Sequence, residues 1–196
     1  LPICFNDCKA LTTLVLPESL TEIEADAFKN CKNLGNFNLP GNVTEIGNGA
    51  FEDCESLTAI DLTNVKKIAN NAFQDCKKLG AVSFSNLSDL GSDAFKGCSN
   101  LQSVEIESAD RIGNAAFQNC AGLQNVTIDG NLKGIGTETF AGCTNLVSGS
   151  LPTTVKTIGT RAFYECKSLP SIDLPDGVTR IYDHAFEGCA SLKYIT

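Results

Sequence analysis

The chain has 196 residues, 42% of them hydrophobic, and a mean hydropathy of −0.01. That composition excludes a disordered segment, and no apolar run approaches the ~20 residues that a membrane-spanning helix requires. Acidic residues outnumber basic ones, 23 to 15, for a net charge of −8, which argues against nucleic-acid backbones and anionic membranes as main partners. The sequence contains no methionine and shows no signal peptide, so it reads as a mature or excised fragment.

The chain opens on the first copy of a pattern that then runs through it. Phenylalanine recurs at positions 5, 28, 51, 73, 95, 117, 140, 163 and 186, in steps of 22 or 23 residues, and each is followed three residues later by cysteine. A repeat of this length is one turn of a solenoid. The expectation is a single array over 1–196, with eight complete repeats and a partial ninth.

Within each repeat the elements follow in a fixed order. Ala, Phe and Cys at spacings of one and three, preceded by Asn, Asp or Thr, predict a short helical turn with a capping residue. A Leu lies three residues after each Cys, from Leu11 and Leu34 to Leu169 and Leu192. Apolar and polar residues then alternate, as in Leu14–Leu16, Val82–Phe84 and Val104–Ile106, which predicts a strand with one face buried. A turn follows, with Pro17, Pro40, Pro152 or Pro175 in four of the 23-residue repeats and Asp129 in the fifth. The three 22-residue repeats lose their residue within this turn. Its last polar position holds Ser19, Asn42, Asn64, Asn86, Ser108, Asn131, Thr154 or Gly177, side chains that bond their own backbone in tight turns. A second apolar pair, such as Val43 with Ile46, closes the repeat, often before a Gly.

Ten cysteines raise the question of disulfides or metal. Nine recur once per repeat, and Cys4 takes a slot that holds Ala in seven of the other eight repeats. A thiol packs as a small hydrophobe, and side chains at equivalent positions of stacked coils point in parallel. The favoured expectation is a reduced, buried thiol ladder, with one or more disulfides as the alternative. No CxxC pair or paired His supports a metal site.

The consensus LxxLxLPxxVxxIGxxAFxxC, seen in FNLPGNVTEIGNGAFEDC (37–54) and IDLPDGVTRIYDHAFEGC (172–189), resembles the BspA-like, or Treponema-type, leucine-rich repeats. The resemblance covers essentially the whole chain. It departs from the general leucine-rich pattern in placing Cys after the Phe, where that pattern has Asn or Cys two residues before a Leu. The resemblance implies an α/β, right-handed leucine-rich-repeat solenoid. A concave parallel β-sheet of about nine strands would face one way, with short helical turns and loops on the convex side. It also implies a cell-surface or extracellular protein of bacteria or some protists, non-enzymatic, that adheres to a host or extracellular-matrix protein.

On such a sheet the outward positions are the candidate ligand-binding residues: Asn36, Asn38, Asp61, Ser83, Ser103, Glu105, Glu107, Asn125, Thr127, Asp129, Asp173 and Tyr194. Asp61, Glu105, Glu107, Asp129 and Asp173 form an acidic stripe suited to a basic protein strip; the alternative is a solvated sheet face. No nucleophile elbow, phosphate loop or metal motif is present, so neither catalysis nor a cofactor is expected. The alternative function is a structural spacer that displays other domains. A third option is end-to-end self-association through the ends of the array.

Four further features stand out. Gly149 replaces a buried Val or Ile and predicts a cavity or strand irregularity. His184 sits in a slot of mixed chemistry and reads as solvent-facing. Tyr164, Tyr182 and Tyr194 give the last quarter an aromatic character, as a binding edge or a contact with further repeats. Asn42, Asn86 and Asn125 begin sequons that matter only in a eukaryotic secretory setting. If the Phe column fills the core, Phe95→Ala destabilises the middle of the array by about 3–5 kcal/mol. An unchanged melting temperature would sink that assignment.

Overall fold

The computed structural model describes residues 5–196; Cys4 therefore lies outside the described residues. Each repeat forms one coil, and every strand pairing between coils is parallel. The coils carry two columns of strands. A narrow column holds two-residue strands: β1 (Glu22–Ile23), β2 (Glu45–Ile46), β3 (Lys67–Ile68), β5 (Asp89–Leu90), β7 (Arg111–Ile112), β9 (Gly134–Ile135), β11 (Thr157–Ile158) and β13 (Arg180–Ile181). A broad column holds β4 (Ala81–Phe84), β6 (Ser103–Ala109), β8 (Asn125–Gly130), β10 (Ser148–Ser150), β12 (Ser171–Ile172) and β14 (Tyr194–Ile195).

The core between them is the Phe column. Successive rings from Phe5 to Phe186 stack at 5.1–5.6 Å between centroids, with interplanar angles of 3–20°. Those distances lie within the favourable range for aromatic pairs. The rings from Phe28 to Phe163 are buried, together with the Leu three residues after each Cys from Leu34 to Leu169.

The Ala-Phe-x-x-Cys segment is not the helical turn that its spacing suggests; no helix occurs among the described residues. Two positions in it have left-handed backbone. One precedes the Ala slot, as at Asp26 (φ 54), Asn71 (φ 60) and His184 (φ 60); the other precedes the Cys, as at Asn30 (φ 59) and Asp75 (φ 58). Alternate N–H groups turn outward to the next coil: Asp26 N, Phe28 N and Asn30 N donate to Asn48 O, Ala50 O and Glu52 O. The N–H groups between them close local turns, as Lys29 N donates to Asp26 O and Cys31 N to Phe28 O. A short helical turn would leave its first N–H groups without partners in its own coil. Here half of the N–H groups stitch neighbouring coils together.

The change in repeat length falls in the turn after the broad strand, as expected. In the 23-residue coils that carry Pro the turn hangs from the Pro carbonyl, Pro40 O accepting from Val43 N and Pro152 O from Val155 N. In a 22-residue coil Val65 N reaches Leu62 O directly, so one residue is saved. Where a 22-residue coil meets a 23-residue one, the register of β6 against β8 shifts between Ile106 and Ala109. Gly130 absorbs that shift at φ +104, with a would-be Cβ only 2.5 Å from Ala109 N.

The broad sheet is not continuous over nine strands. Its hydrogen-bonded parts run in the order β10-β8-β6-β4 and, separately, β12-β14. The entry to each broad strand is a bond from one coil to the one before: Gly80 N to Thr58 O, Gln102 N to Gly80 O, Gln124 N to Gln102 O, Val147 N to Gln124 O. The series fails at two places, each for a local reason. Thr58 N and Ala59 N donate to the Asn36 side-chain oxygen, both at 3.0 Å, so a side chain captures donors the ladder would use. Pro170 has no N–H to give.

Gly149 pairs with Val126 in register, so the strand is regular there. The space is real, since a Cβ built on Gly149 meets nothing within 4 Å. The two glycines therefore predict opposite outcomes. Gly149→Val fills the space and raises stability by about 1–2 kcal/mol. Gly130→Ala lowers it by about 1–3 kcal/mol. Thermal melts that move both variants the same way would contradict this account.

Candidate interaction face

The broad strands alternate buried and exposed residues, as in β4 and β6, where Val82, Phe84, Val104 and Ile106 point inward. Their outward partners are set side by side by the register. Ser83 lies beside Glu105, Glu105 beside Thr127 and Thr127 beside Ser150; Ser103 lies beside Asn125 in the adjacent row. These residues are thus brought together on one rigid ladder, most of them exposed.

The other candidates are placed less tightly. Glu107 and Asp129 are exposed but fall within the register shift, between the paired positions Ile106–Ile128 and Ala109–Gly130. Asp173 is exposed beyond the Pro170 break and lies against the Thr196 hydroxyl. Tyr194 is exposed on β14, opposite Ser171. Along the row that contains Glu105, neutral residues separate the acids. Stacked coils are ~4.8 Å apart, so Asp61 and Glu105, two coils apart, are separated by ~10 Å. That exceeds the ~8 Å screening length at physiological salt. Asp61 and Glu105 are thus separate charges, each able to meet its own basic group, whereas Glu107 and Asp129 lie on adjacent coils and act together.

Asn36, Asn38 and Asp61 gather at the ladder break. They line a shallow groove of about 490 Å³ whose floor is Phe37, Leu39 and Ile60. Asn36 accepts from Thr58 and Ala59 and so serves the fold as well as the surface. The Asp61 carboxylate accepts from the Thr63 hydroxyl at 2.6 Å and from Thr63 N at 3.0 Å, which holds its pKa below the usual carboxylate value. Phe37 and Leu39 escaped the sequence reading because their slots are inward ones. Both are half-buried because the ladder does not close over them.

The residues set apart in the sequence resolve individually. The turn column bonds to the preceding coil rather than to its own backbone: Asn42 Nδ2 donates to Glu18 O, Asn86 Nδ2 to Thr63 O and Thr154 Oγ1 to Leu132 O. His184 is exposed against Glu187. Tyr164, Tyr182 and Tyr194 belong to three different columns of the coil, namely the turn, the end of the narrow strand and the broad strand. They do not form a common patch. Glu55 bridges Lys32 at 3.0 Å and Lys77 at 3.3 Å, so these two lysines, each directly after a Cys, are locally neutralised.

The nine described cysteines are free, and those from Cys31 to Cys166 are buried. From Cys31 onward each thiol donates to the carbonyl of a Phe in the preceding coil, as Cys54 Sγ to Phe28 O (3.2 Å) and Cys98 Sγ to Phe73 O (3.1 Å). No group of three or more His, Cys, Asp or Glu able to hold a metal occurs among the described residues. Burial pushes the Cys54 and Cys143 thiols up to about 12, and Cys76, Cys98 and Cys120 well above the ordinary value.

With this geometry in hand, comparison with known proteins is decisive for the family. The profile of the BspA type leucine-rich repeat region matches residues 2–122 and 110–196. The chain belongs to this family. No curated protein matches it. Among solved structures, a leucine-rich repeat protein from Eubacterium ventriosum superposes with a TM-score of 0.79 at 23% identity. The match covers 94% of this chain and 60% of that one, so this repeat array spans less than two thirds of that protein's length. The T. pallidum leucine-rich repeat protein is 30% identical, with a TM-score of 0.68, over 82% of this chain and 78% of its own. A leucine-rich cell surface protein from Faecalibacterium prausnitzii is 22% identical, with a TM-score of 0.52, over 94% of this chain and 72% of that one.

The thiol ladder makes this BspA-type array sensitive to alkali. A thiol whose pKa is raised by folding contributes stability that is complete below the unfolded pKa and is lost as pH rises towards the folded one. At pH 10 that loss is about 1.4 kcal/mol per buried thiol; five of them approach the whole stability of an ordinary domain. Unfolding is therefore expected between pH 9 and about 12. In the variant with Cys76, Cys98 and Cys120 changed to Ala, stability falls less steeply with pH across that window. An unchanged slope in alkaline denaturation curves would rule out the thiols as the titrating groups.

Proposed function

We propose that this array is a non-enzymatic protein-binding module, carried at the cell surface or secreted, and that it meets a basic protein partner through the broad strand face. The observation that carries the reading is the row Ser83, Glu105, Thr127 and Ser150, four outward residues of small or acidic character in fixed register on one hydrogen-bonded ladder. Such a row presents its side chains from a backbone whose freedom is already spent, so binding has only the side chains to order. The groove at Asn36, Asn38 and Asp61 adds a concave, half-apolar element with a carboxylate held ionised. The surface address rests on family resemblance and on relatives such as the Faecalibacterium prausnitzii protein, itself described as a cell surface protein. A host or extracellular-matrix protein is the partner class that fits this address.

A spacer is the second reading. It is favoured by the Asn36 side chain, which is committed to the neighbouring coil and not to a ligand. The two readings separate cleanly. Changing Asp61, Asp129 and Asp173 to Asn, with Glu105 and Glu107 to Gln, weakens binding of a lysine-rich peptide at least tenfold and flattens its salt dependence. Titrations that give the same affinity for the variant and the parent would remove the acidic face from consideration. A neutral repeat array of equal length restores function to a spacer but not to a binder.

A further inference from the structure

Away from the strand columns, the turn face carries a notch. The position two residues before Cys holds a long side chain in most coils, as in Lys29, Glu52, Gln74, Lys96, Gln118 and Glu187. Ala141 interrupts this ridge, followed by Gly142, which sits at φ +76 with a would-be Cβ 2.4 Å from Asn119 Oδ1. The coil before supplies Gln118 as one wall and the coil after supplies Tyr164 as the other, around a cavity of about 470 Å³. The walls are two coils apart, ~9.6 Å. Allowing for van der Waals contact on each side, that leaves room for a single ring.

The chemistry of the notch differs from that of the strand face. Gln118 Nε2 donates to Glu138 Oε2 at 2.8 Å. Arg161 lies 3.7 Å from Glu138 and over the Tyr164 ring, 5.7 Å from its centre, so the guanidinium shares the ring with any ligand. Glu165, which also lines the notch, is paired with Lys167 at 2.7 Å, so each charge in the lining has an opposite partner and the notch does not select a ligand by net charge. It offers one half-buried aromatic ring and, around it, a planar amide, a carboxylate and a guanidinium. An aromatic ring face attracts weakly positive C–H groups. The planar side chains present paired donors and acceptors at spacings that suit adjacent hydroxyls. A ring with an apolar C–H face and a hydroxylated rim satisfies both requirements; a flat aromatic ligand would leave the polar groups unpartnered.

We propose that this notch binds one pyranose unit of a glycan, with Tyr164 against its C–H face and Glu138, Arg161 and Gln118 on its hydroxyls. The site is independent of the acidic strand face, and neither stands or falls with the other. The test uses the full 196-residue chain and the methyl pyranosides of glucose, galactose, mannose and N-acetylglucosamine, read by saturation-transfer NMR. At least one pyranoside receives saturation from the protein. Ala141→Gln, which places in the notch the residue that the same slot already carries as Gln74 and Gln118, abolishes that transfer without lowering the melting temperature. Tyr164→Ala weakens binding at least tenfold, while Tyr164→Phe keeps most of it. Absence of transfer to all four pyranosides overturns the proposal. So does transfer that survives Ala141→Gln, or binding of p-cresol in place of any sugar.

Discussion

Every coil of this protein depends on hydrogen bonds that it cannot make alone. In the turn segment alternate N–H groups leave their own coil and seek carbonyls of the next one, from Phe5 N to Ala27 O through Phe163 N to Ala185 O. That requirement fixes the stacking distance, and the stacking distance fixes the rest. Inward side chains must repeat at the coil spacing, which the Phe rings meet by stacking at 5.1–5.6 Å between centroids. A buried donor without its partner costs about 1–3 kcal/mol, so a change in backbone path within one coil is also felt by the coil that receives its bonds. Stability of this kind is additive between neighbours and cooperative along the array.

The cysteines belong to the same constraint. The slot three residues after the Phe is small, buried and next to a Phe carbonyl of the preceding coil. Ala would fill it without using that carbonyl's second lone pair, and Ser would bring a strongly solvated hydroxyl into an apolar layer. A thiol is apolar enough to pack and still donates weakly, as every described cysteine from Cys31 to Cys189 does. Ten cysteines in a short chain suggest chemistry by count alone. Their bonding shows a packing solution, whose cost is exposure to alkali.

The repeat, its inward residues and the turn that absorbs the change in length were all legible from residue spacing. Period-two alternation and the Phe spacing depend on geometry that side chains display directly. The backbone of the Ala-Phe-x-x-Cys segment was not legible, because Asn and Asp favour both helix caps and left-handed conformations. Asp26, Asn71 and Asp93 are compatible with either, and only the partner coil decides between them. Arg161 and Glu138, at φ 54 and 57, have no such preference of their own and show the stack imposing the conformation. The extent of the broad sheet was hidden for a related reason. Asn36 and Pro170 each interrupt the series of entry bonds between coils through one atom, a side-chain oxygen in one case and a missing N–H in the other. An outward-facing column of polar residues gives no sign of which member has turned to serve the backbone.

A repeat scaffold can carry a particular function only where its coils differ. In an ideal array every outward row would be uniform, and a ligand could bind at any register. Here the differences are of two kinds. Some change side-chain length against an unchanged backbone, as Ala141 does between Gln118 and Tyr164, and leave a cavity with walls from two neighbouring coils. Others change the backbone bonding itself, as Asn36 does, and open a groove over half-buried Phe37 and Leu39. The first kind costs the fold little, because the slot accepts many side chains. The second removes ladder bonds and must be offset by the side chain that replaces them, three of whose contacts are made by Asn36 alone. A face assembled in these ways can evolve one coil at a time, since each change is felt chiefly by the coils on either side.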